Sequence, residues 1–149
     1  MPGAERIYTF FSVHERLFVP VHRVLRDRYG IAAFAGTVWG EDQASFLAKH
    51  EIEYEPLLVF TRDVLKPGDT SAPDMEYLRQ REVLYGVPIH RMIWSERHLL
   101  EGRSYDQVLA LTERIFRAVE AAFERFKPTM LFSEDVGCLT SYIHYAVAR

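Results

Sequence analysis

The feature that most constrains this fold is an alternation of short apolar runs with helix-like segments. Residues 7–11, 31–38 and 54–60 are rich in β-branched and aromatic side chains, and each run is short and mostly apolar. Such runs are typical of strands that are buried on both faces of a sheet. Because a helix-like segment separates each run from the next, the order βαβαβ predicts a parallel sheet with right-handed crossovers.

Further helices precede the next strand. Two prolines and one glycine punctuate residues 73–101, and we expect a helical insertion there. Its first helix is closed by Gly86, and its second ends near Leu100. Ser104 and Gln107 then have the spacing of a capping box, which starts a helix with a sustained apolar stripe at 3.6-residue spacing. Pro128 ends this helix. The insertion therefore belongs to the crossover that leads to the fourth strand.

The last strand and helix complete the predicted order of the sheet. Residues 130–133 form the fourth strand, and residues 137–149 form a helix after it. The predicted fold is a Rossmann-like open parallel sheet of about four strands in the order 3-2-1-4, with flanking helices. Since a further strand normally follows such a helix, we expect residues 1–149 to be a single N-terminal domain, truncated before its last strands. The exposed edge beside the fourth strand would favour pairing with another chain, including a homo-oligomer.

The connection after the first strand is a candidate functional loop. Proline is well tolerated in a first helical turn, so Pro20 predicts that the first helix begins near that residue and ends at Gly30. Residues 12–19 would then form a loop of about eight residues, whereas such loops usually have about 2–6. The alternative is that the helix starts earlier and that Pro20 kinks it. A long loop at this position would favour a functional role.

The strand order places two loops on either side of one crevice. In an open parallel sheet, ligands bind beyond the carboxyl ends of the strands, where the strand order reverses. With the order 3-2-1-4, this position lies between the first and fourth strands. We therefore expect residues 12–16 and residues 133–137 to line the binding site.

The first of these loops carries an imidazole, a carboxylate and a cation in succession, at His14, Glu15 and Arg16. A histidine titrates near neutral pH, so this combination suits acid–base chemistry or recognition of a hydroxylated or anionic ligand. Ser12 adds a hydroxyl to the same loop. The alternative interpretation is a solvated loop that contains one incidental histidine.

The second loop begins with Ser133 and Glu134 and is followed by a helix. Glu134 is placed to form hydrogen bonds with the hydroxyls of a sugar or ribose. Gly137, which has no side chain, leaves space around the backbone. The alternative is structural, because Asp135 suits the N-cap of the helix and both carboxylates favour the positive end of its dipole. Cys138 is interpreted as a small buried residue rather than a nucleophile, since the sequence places no base nearby that could activate its thiol.

Composition and missing motifs narrow the function further. The net charge is −3 with scattered lysines and arginines, which disfavours a nucleic-acid partner. A single cysteine and a terminus without signal-peptide features suit a cytoplasmic protein, and no apolar run is long enough for a membrane span. The sequence has no Gly-x-Gly-x-x-Gly or Walker loop, and no histidine or cysteine spacing typical of metal sites. We expect neither a metal nor a cofactor.

Three segments carry a resemblance to known proteins: the first loop with His14, residues 85–97, and residues 127–134, where a helix ends in a Lys-Pro turn before a strand and an acidic residue. Together they resemble the N-terminal half of GT-B-type glycosyltransferases and related bacterial capsule or surface-polysaccharide biosynthesis proteins. The first loop departs from that of many such transferases, because it lacks glycine and places His14 six residues before Pro20. The likeness covers nearly the whole chain.

The resemblance implies a transferase that joins a sugar from a nucleotide sugar to a glycan acceptor. In such proteins the donor site lies mainly in a C-terminal domain, so this chain would form the acceptor side of the cleft and would be inactive alone. His14 is then the expected catalytic base. The expected substrate-binding residues are Ser12, Glu15, Arg16, Ser133, Glu134 and Gly137. Two alternatives remain open: a non-catalytic nucleotide- or sugar-binding module of doubly wound type, and a nucleotide-sugar epimerase- or hydrolase-like protein.

Overall fold

The first three strands alternate with helices as the sequence predicts, and several helices precede the fourth strand. The computed structural model describes residues 5–65, 68, 71–96, 98–134 and 136–149. The strands are β1 (Arg6–Phe10), β2 (Ala33–Val38), β3 (Tyr54–Val59) and β4 (Met130–Ser133). The helices are α1 (Glu15–Tyr29), α2 (Glu41–Ala48), α3 (Phe60–Asp63), α4 (Met75–Tyr85), α5 (Ile89–Trp94), α6 (Tyr105–Phe126) and α7 (Leu139–Ala148).

The strands form one open, fully parallel sheet in the order β3-β2-β1-β4. Tyr8 in β1 lies opposite Ala35 in β2 on one side and Leu131 in β4 on the other. The predicted order 3-2-1-4 and the Rossmann-like α/β class are therefore confirmed. Within the described residues β4 pairs with β1 alone, so it lies at an edge of the sheet.

Helices cover both faces of the sheet, which explains why the strands are almost continuously apolar. Ile7 belongs to a buried cluster that contains Val19 of α1 and Leu47 of α2. Tyr8, the next residue along β1, packs on the other face, where its ring centroid lies 4.6 Å from that of Phe123 in α6. Successive side chains of a strand point to opposite faces, so both sets of residues must be apolar.

Gly36 allows close packing at the centre of the sheet. A Cβ atom at this position would lie 2.6 Å from the Phe11 ring and 2.7 Å from the Thr9 carbonyl oxygen. Phe11 is fully buried, and its backbone amide donates to the Thr37 carbonyl at 3.0 Å. The glycine therefore helps to fix where the chain leaves β1 and enters the loop that carries His14.

The first helix begins earlier than the proline indicates. It starts at Glu15 and contains Pro20 in its interior, so the long loop predicted over residues 12–19 is wrong and the alternative with an earlier start is correct. Proline cannot donate the amide hydrogen bond of a helix interior. Val19 and His22 on this helix are 2% and 0% exposed. Burial of this face outweighs the preference of proline for a first turn, since packing supplies most helix stability.

Several helix ends lie where the sequence predicts them. Gly30 and Gly86 end α1 and α4 in the left-handed conformation. In α6, the Ser104 hydroxyl accepts from the Gln107 amide at 3.3 Å, and the Gln107 side chain accepts from the Ser104 amide at 2.8 Å. This reciprocal pair is the predicted capping box. These ends depend on local hydrogen bonds, which is why local sequence predicts them.

The second inserted helix, α5, is shorter than predicted. It ends at Trp94 rather than near Leu100. Beyond its end, the Glu96 carboxylate accepts from the backbone amides of His98 and Leu99 at 2.9 and 3.1 Å. A side chain therefore satisfies amides that a continued helix would have used.

The last helix also begins later than predicted. It starts at Leu139 rather than Gly137, and Cys138 is its N-cap. The Cys138 amide donates to the Ser141 hydroxyl at 3.1 Å. This hydrogen bond satisfies the backbone N–H group of the N-cap residue. Asp135, the N-cap that the sequence predicts, lies outside the described residues.

Candidate functional site

A tight turn carries the chain from β1 into α1 and positions His14. The amide of His14 donates to the Phe11 carbonyl at 2.8 Å, and Ser12 adopts a positive φ of 48°. The His14 carbonyl in turn accepts from the Leu17 amide at 2.9 Å, at the entrance of α1. His14 is the N-cap residue, but its side chain makes no capping hydrogen bond. The imidazole is thus left for contacts outside its own helix.

His14 and Glu134 meet at the crevice between β1 and β4. The Nε2 atom of His14 lies 2.7 Å from Oε1 of Glu134, and the two side chains are 40% and 42% exposed. Glu134 directly follows β4, which is the neighbour of β1 in the sheet. The structure therefore brings together two residues that the sequence predicts at the same crevice.

This contact determines the chemistry that the imidazole can perform. A carboxylate beside Nε2 favours the tautomer that carries its proton on Nε2, which leaves Nδ1 as the acceptor. The same carboxylate stabilises the imidazolium that forms when Nδ1 takes a proton. An exposed pair of this kind contributes only about 0–1 kcal/mol to folding. The arrangement thus suits acid–base chemistry more than stabilisation of the fold.

Gln43 of α2 holds other residues of the first loop in place. Its side-chain amide donates to the Ser12 carbonyl and to a Glu15 carboxylate oxygen, each at 2.7 Å. Its side-chain carbonyl accepts from the Trp39 amide at 2.6 Å. The structure thus places Glu15 against α2, where it helps to position the turn before α1. Sequence reasoning missed Gln43, whose only signal is its place in the helix after the second strand.

Arg16 lies on the same side of the loop as Gln43. Its guanidinium carbon is 5.8 Å from the centre of the Phe46 ring in α2, within the range of a cation–π interaction. In the part of the chain that the structure describes, Arg16 makes no hydrogen bond or ion pair with His14 or Glu134. The structure therefore does not bring Arg16 into the pair at the crevice.

A groove of about 400 Å³ adjoins Glu134 at the free edge of β4. Ser133 and Glu134 line this groove together with Tyr145 of α7. Ser133 is half-buried at the last position of β4, opposite Phe10 of β1. Gly137 is exposed in the connection to α7. Of the predicted residues of the second loop, Ser133 and Glu134 thus line one groove, whereas Gly137 does not line it.

A mostly apolar cavity of about 290 Å³ lies beside the same loop, at the carboxyl ends of β1 and β2. The loop contributes Ser12 and Val13 to its wall, and α7 contributes Thr140. The other lining residues are Phe10, Val38, Trp39, Phe60, Glu96, His98, Leu99 and Cys138. Sequence reasoning missed this cavity, although the position of Trp39 directly after a parallel strand was an available signal.

Two buried histidines connect the sheet to its helices. The ring nitrogens of His22 are hydrogen-bonded to the hydroxyls of Thr9 and Tyr54 at 3.0 and 2.9 Å. Those of His144 are hydrogen-bonded to the Thr37 hydroxyl and to a carbonyl of its own helix, each at 2.8 Å. Burial lowers the pKa of both imidazoles to about 4. Because both nitrogens of each ring are engaged, these histidines serve the fold.

Metal and membrane features are not found in the described ranges. No group of three or more histidine, cysteine, aspartate or glutamate side chains there could hold a metal ion. The same part of the chain has no helix that is both long and apolar enough to cross a membrane. A comparison with protein-family models gives no match, and comparisons with curated proteins and with solved structures give none that is significant. The function is therefore inferred from the crevice itself.

Proposed function

We propose that this chain is the acceptor-side, N-terminal domain of a glycosyltransferase-like protein of polysaccharide biosynthesis, in which His14 is the general base. The observation that carries the proposal is the 2.7 Å contact between His14 and Glu134 at the strand-end crevice. The resemblance of residues 85–97 and 127–134 to such proteins supports the same class. The substrates are a nucleotide sugar, held by a C-terminal domain, and a glycan acceptor, and the reaction takes place in the cytoplasm.

The proposed reaction requires a base for the acceptor hydroxyl. His14 takes the hydroxyl proton on Nδ1 while the acceptor oxygen bonds to the anomeric carbon of the donor sugar. The bond between that carbon and the nucleotide phosphate breaks, and the nucleotide leaves with the electron pair. Glu134 holds the Nε2 proton in place and stabilises the imidazolium.

The surroundings of the pair support this role. Because the imidazole is 40% exposed, an acceptor hydroxyl can reach it without a rearrangement of the fold. The groove of about 400 Å³ beside Glu134 is of the size that small-molecule sites occupy. Ser133 is one of the residues that line this groove.

Two variants of the full-length protein test the assignment. His14→Ala removes the base, and Glu134→Gln removes the charge but keeps the shape of the side chain. We expect His14→Ala to lower kcat for sugar transfer by about 10²–10⁴-fold and Glu134→Gln to lower it by a smaller factor. His90→Ala is the matched control, because His90 is exposed on α5. The measurement is nucleotide release and product formation with a panel of nucleotide sugars.

Three outcomes would contradict the proposal. Wild-type rates in both variants would remove His14 as the base. Tight binding of free nucleotides by residues 1–149, without transfer by the full-length protein, would favour a non-catalytic binding module. Hydrolysis of a nucleotide sugar without an acceptor would favour a hydrolase-like protein. Isothermal calorimetry and product analysis distinguish these cases.

A further inference from the structure

The outer face of α1, turned away from the sheet, carries an exposed apolar stripe. Leu17, Val21 and Val24 are 60%, 38% and 45% exposed. Their spacings of four and three residues place them one above the other on the same face of the helix. Val19 and His22 on the opposite face are buried. The helix therefore has one apolar face packed against the sheet and a second one that faces solvent.

The same helix is cationic, although the chain as a whole is anionic. It contains four arginines and only two carboxylates, whereas the net charge of the chain is −3. One of the four, Arg26, is paired with Asp27 at 2.8 Å. The other three are exposed, and they form no hydrogen bond or ion pair with any residue that the structure describes: Arg16, Arg23 and Arg28. Each of them lies beside the stripe in the sequence, so their guanidinium groups can pair with an anionic partner.

A second pair of exposed apolar residues, on α4, lacks this combination. Val83 and Leu84 are 84% and 65% exposed. They are adjacent in sequence, so they do not form a stripe along one face of their helix. The helix contains two arginines and two glutamates and has no net charge. Exposed apolar side chains and positive charge therefore coincide on α1 but not on α4.

An anionic lipid surface matches both properties of this face. Interfacial helices bury an apolar face at the boundary between headgroups and acyl chains, and basic side chains beside that face attract anionic lipids. A lipid surface also accommodates a single ridge of aliphatic side chains, whereas a protein partner would have to supply a groove of matching shape. A second copy of this chain is disfavoured as the partner, because its stripe carries the same positive charges.

We propose that the outer face of α1 docks on a membrane surface that contains anionic lipids. The aliphatic side chains of the stripe enter the boundary of the acyl chains, and Arg23 and Arg28 contact the lipid phosphates. This interaction goes beyond the proposed transfer reaction, because it needs neither a nucleotide sugar nor a second domain. His14 is the N-cap of α1, so a docked helix also holds the proposed base near the membrane.

Sedimentation of the 149-residue chain with lipid vesicles tests the proposal. The probes are vesicles of phosphatidylcholine with one third phosphatidylglycerol, and vesicles of phosphatidylcholine alone. We expect the partition coefficient to be at least about tenfold higher for the anionic vesicles, since each arginine near an anionic surface contributes about fivefold. This difference should decrease as the salt concentration is raised, because salt screens the charges.

Two double variants of α1 separate the apolar contribution from the charge. Leu17→Gln with Val24→Gln removes apolar surface at exposed positions and keeps a good helix former, so we expect the fold to be kept and the partition coefficient to fall about tenfold. Arg23→Gln with Arg28→Gln should lower binding to the anionic vesicles by at least about tenfold and leave binding to the neutral vesicles unchanged. Circular dichroism checks that each variant is folded.

The matched control is on α4. Val83→Gln with Leu84→Gln also replaces one valine and one leucine at exposed positions, and it should bind the vesicles as the wild type does. An equal loss in this control, unchanged binding in either α1 variant, or no preference of the wild type for anionic vesicles would each overturn the proposal.

Analytical ultracentrifugation identifies the occupant if the wild type does not bind vesicles. A wild-type dimer that dissociates in Leu17→Gln with Val24→Gln would assign the stripe to a second copy of the chain, and a monomer would assign it to an acidic protein surface. Both outcomes exclude the membrane. Since none of these measurements uses sugar transfer, the proposal stands or fails separately from the role of His14.

Discussion

The hydroxyl of Thr140, buried and without a hydrogen-bond partner among the described residues, should lower the stability of the folded chain. A buried hydroxyl of this kind loses its bonds to water and gains none, at a cost of about 1–3 kcal/mol. We therefore expect Thr140→Val to raise the free energy of unfolding by about 1 kcal/mol. Thr112→Val should give no such gain, because it removes a bond to the Val108 carbonyl. Urea unfolding followed by circular dichroism measures both, and a Thr140→Val chain less stable than the wild type would contradict the prediction.

Individual site residues differ in how far the sequence alone could place them. His14 and Glu134 follow neighbouring strands, so the predicted strand order brings their loops to one crevice, and the structure shows the contact. Trp39, Glu96 and Thr140 share a cavity only because α7 and the segment after α5 pack against the sheet. No local pattern reports that packing. The sequence therefore signals only Trp39, by its position directly after a parallel strand, and not the cavity that Trp39 shares with Glu96 and Thr140.

At the scale of single elements, β2 cannot accept a side chain at Gly36. A Cβ atom there would lie 2.7 Å from the Thr9 carbonyl oxygen, which cannot move unless β1 also moves. Gly36→Ala should therefore lower the free energy of unfolding by about 2–3 kcal/mol. Denaturant titration with a spectroscopic signal for the folded state measures the change.

Gly40→Ala is the matched control for this prediction. A Cβ atom at Gly40 would meet the Thr61 hydroxyl oxygen at 3.7 Å, an ordinary van der Waals distance. Gly40 is the N-cap of α2, where glycine is preferred to alanine, so a loss of up to about 1 kcal/mol is expected. If both variants lost the same stability, the close approach at Gly36 would not be the cause.

The contrast between local and tertiary causes also explains which elements the sequence predicts well. The bounds of β4 match the prediction because Pro128 ends the preceding helix and the polar Glu134 follows the apolar run. The start of α1 does not match, because burial of Val19 and His22 favours a helix that continues through Pro20. Proline chemistry is local and visible in the sequence, whereas burial is a property of the assembled fold.

At the scale of the whole molecule, the sheet topology places the His14–Glu134 pair and the apolar cavity around one loop. Glu134, which follows β4, contacts His14. Residues of β2 and α7 line the cavity together with Ser12 and Val13. The loop is anchored between them by the bonds of Gln43. Pairing of the β4 edge with another chain stays a prediction.

The stability of the whole molecule should fall steeply as the pH is lowered from 7 to 5. Burial lowers the pKa of His22 and His144 to about 4 in the folded chain, against about 6.5 when unfolded. The unfolded chain then binds more protons, so this stability is complete above pH 6.5 and is lost progressively toward pH 4. Each histidine should account for a loss of about 2 kcal/mol between pH 7 and pH 5.

His22→Gln separates one of these contributions from the rest. Glutamine can still hydrogen-bond to Thr9 and Tyr54, but it binds no proton in this pH range. The free energy of unfolding should therefore change with pH about half as steeply in His22→Gln as in the wild type, because of the two histidines whose pKa is lowered by burial only His144 then remains. This slope is informative even if the variant is less stable at every pH. A slope for His22→Gln equal to that of the wild type would show that His22 is not held neutral by the fold.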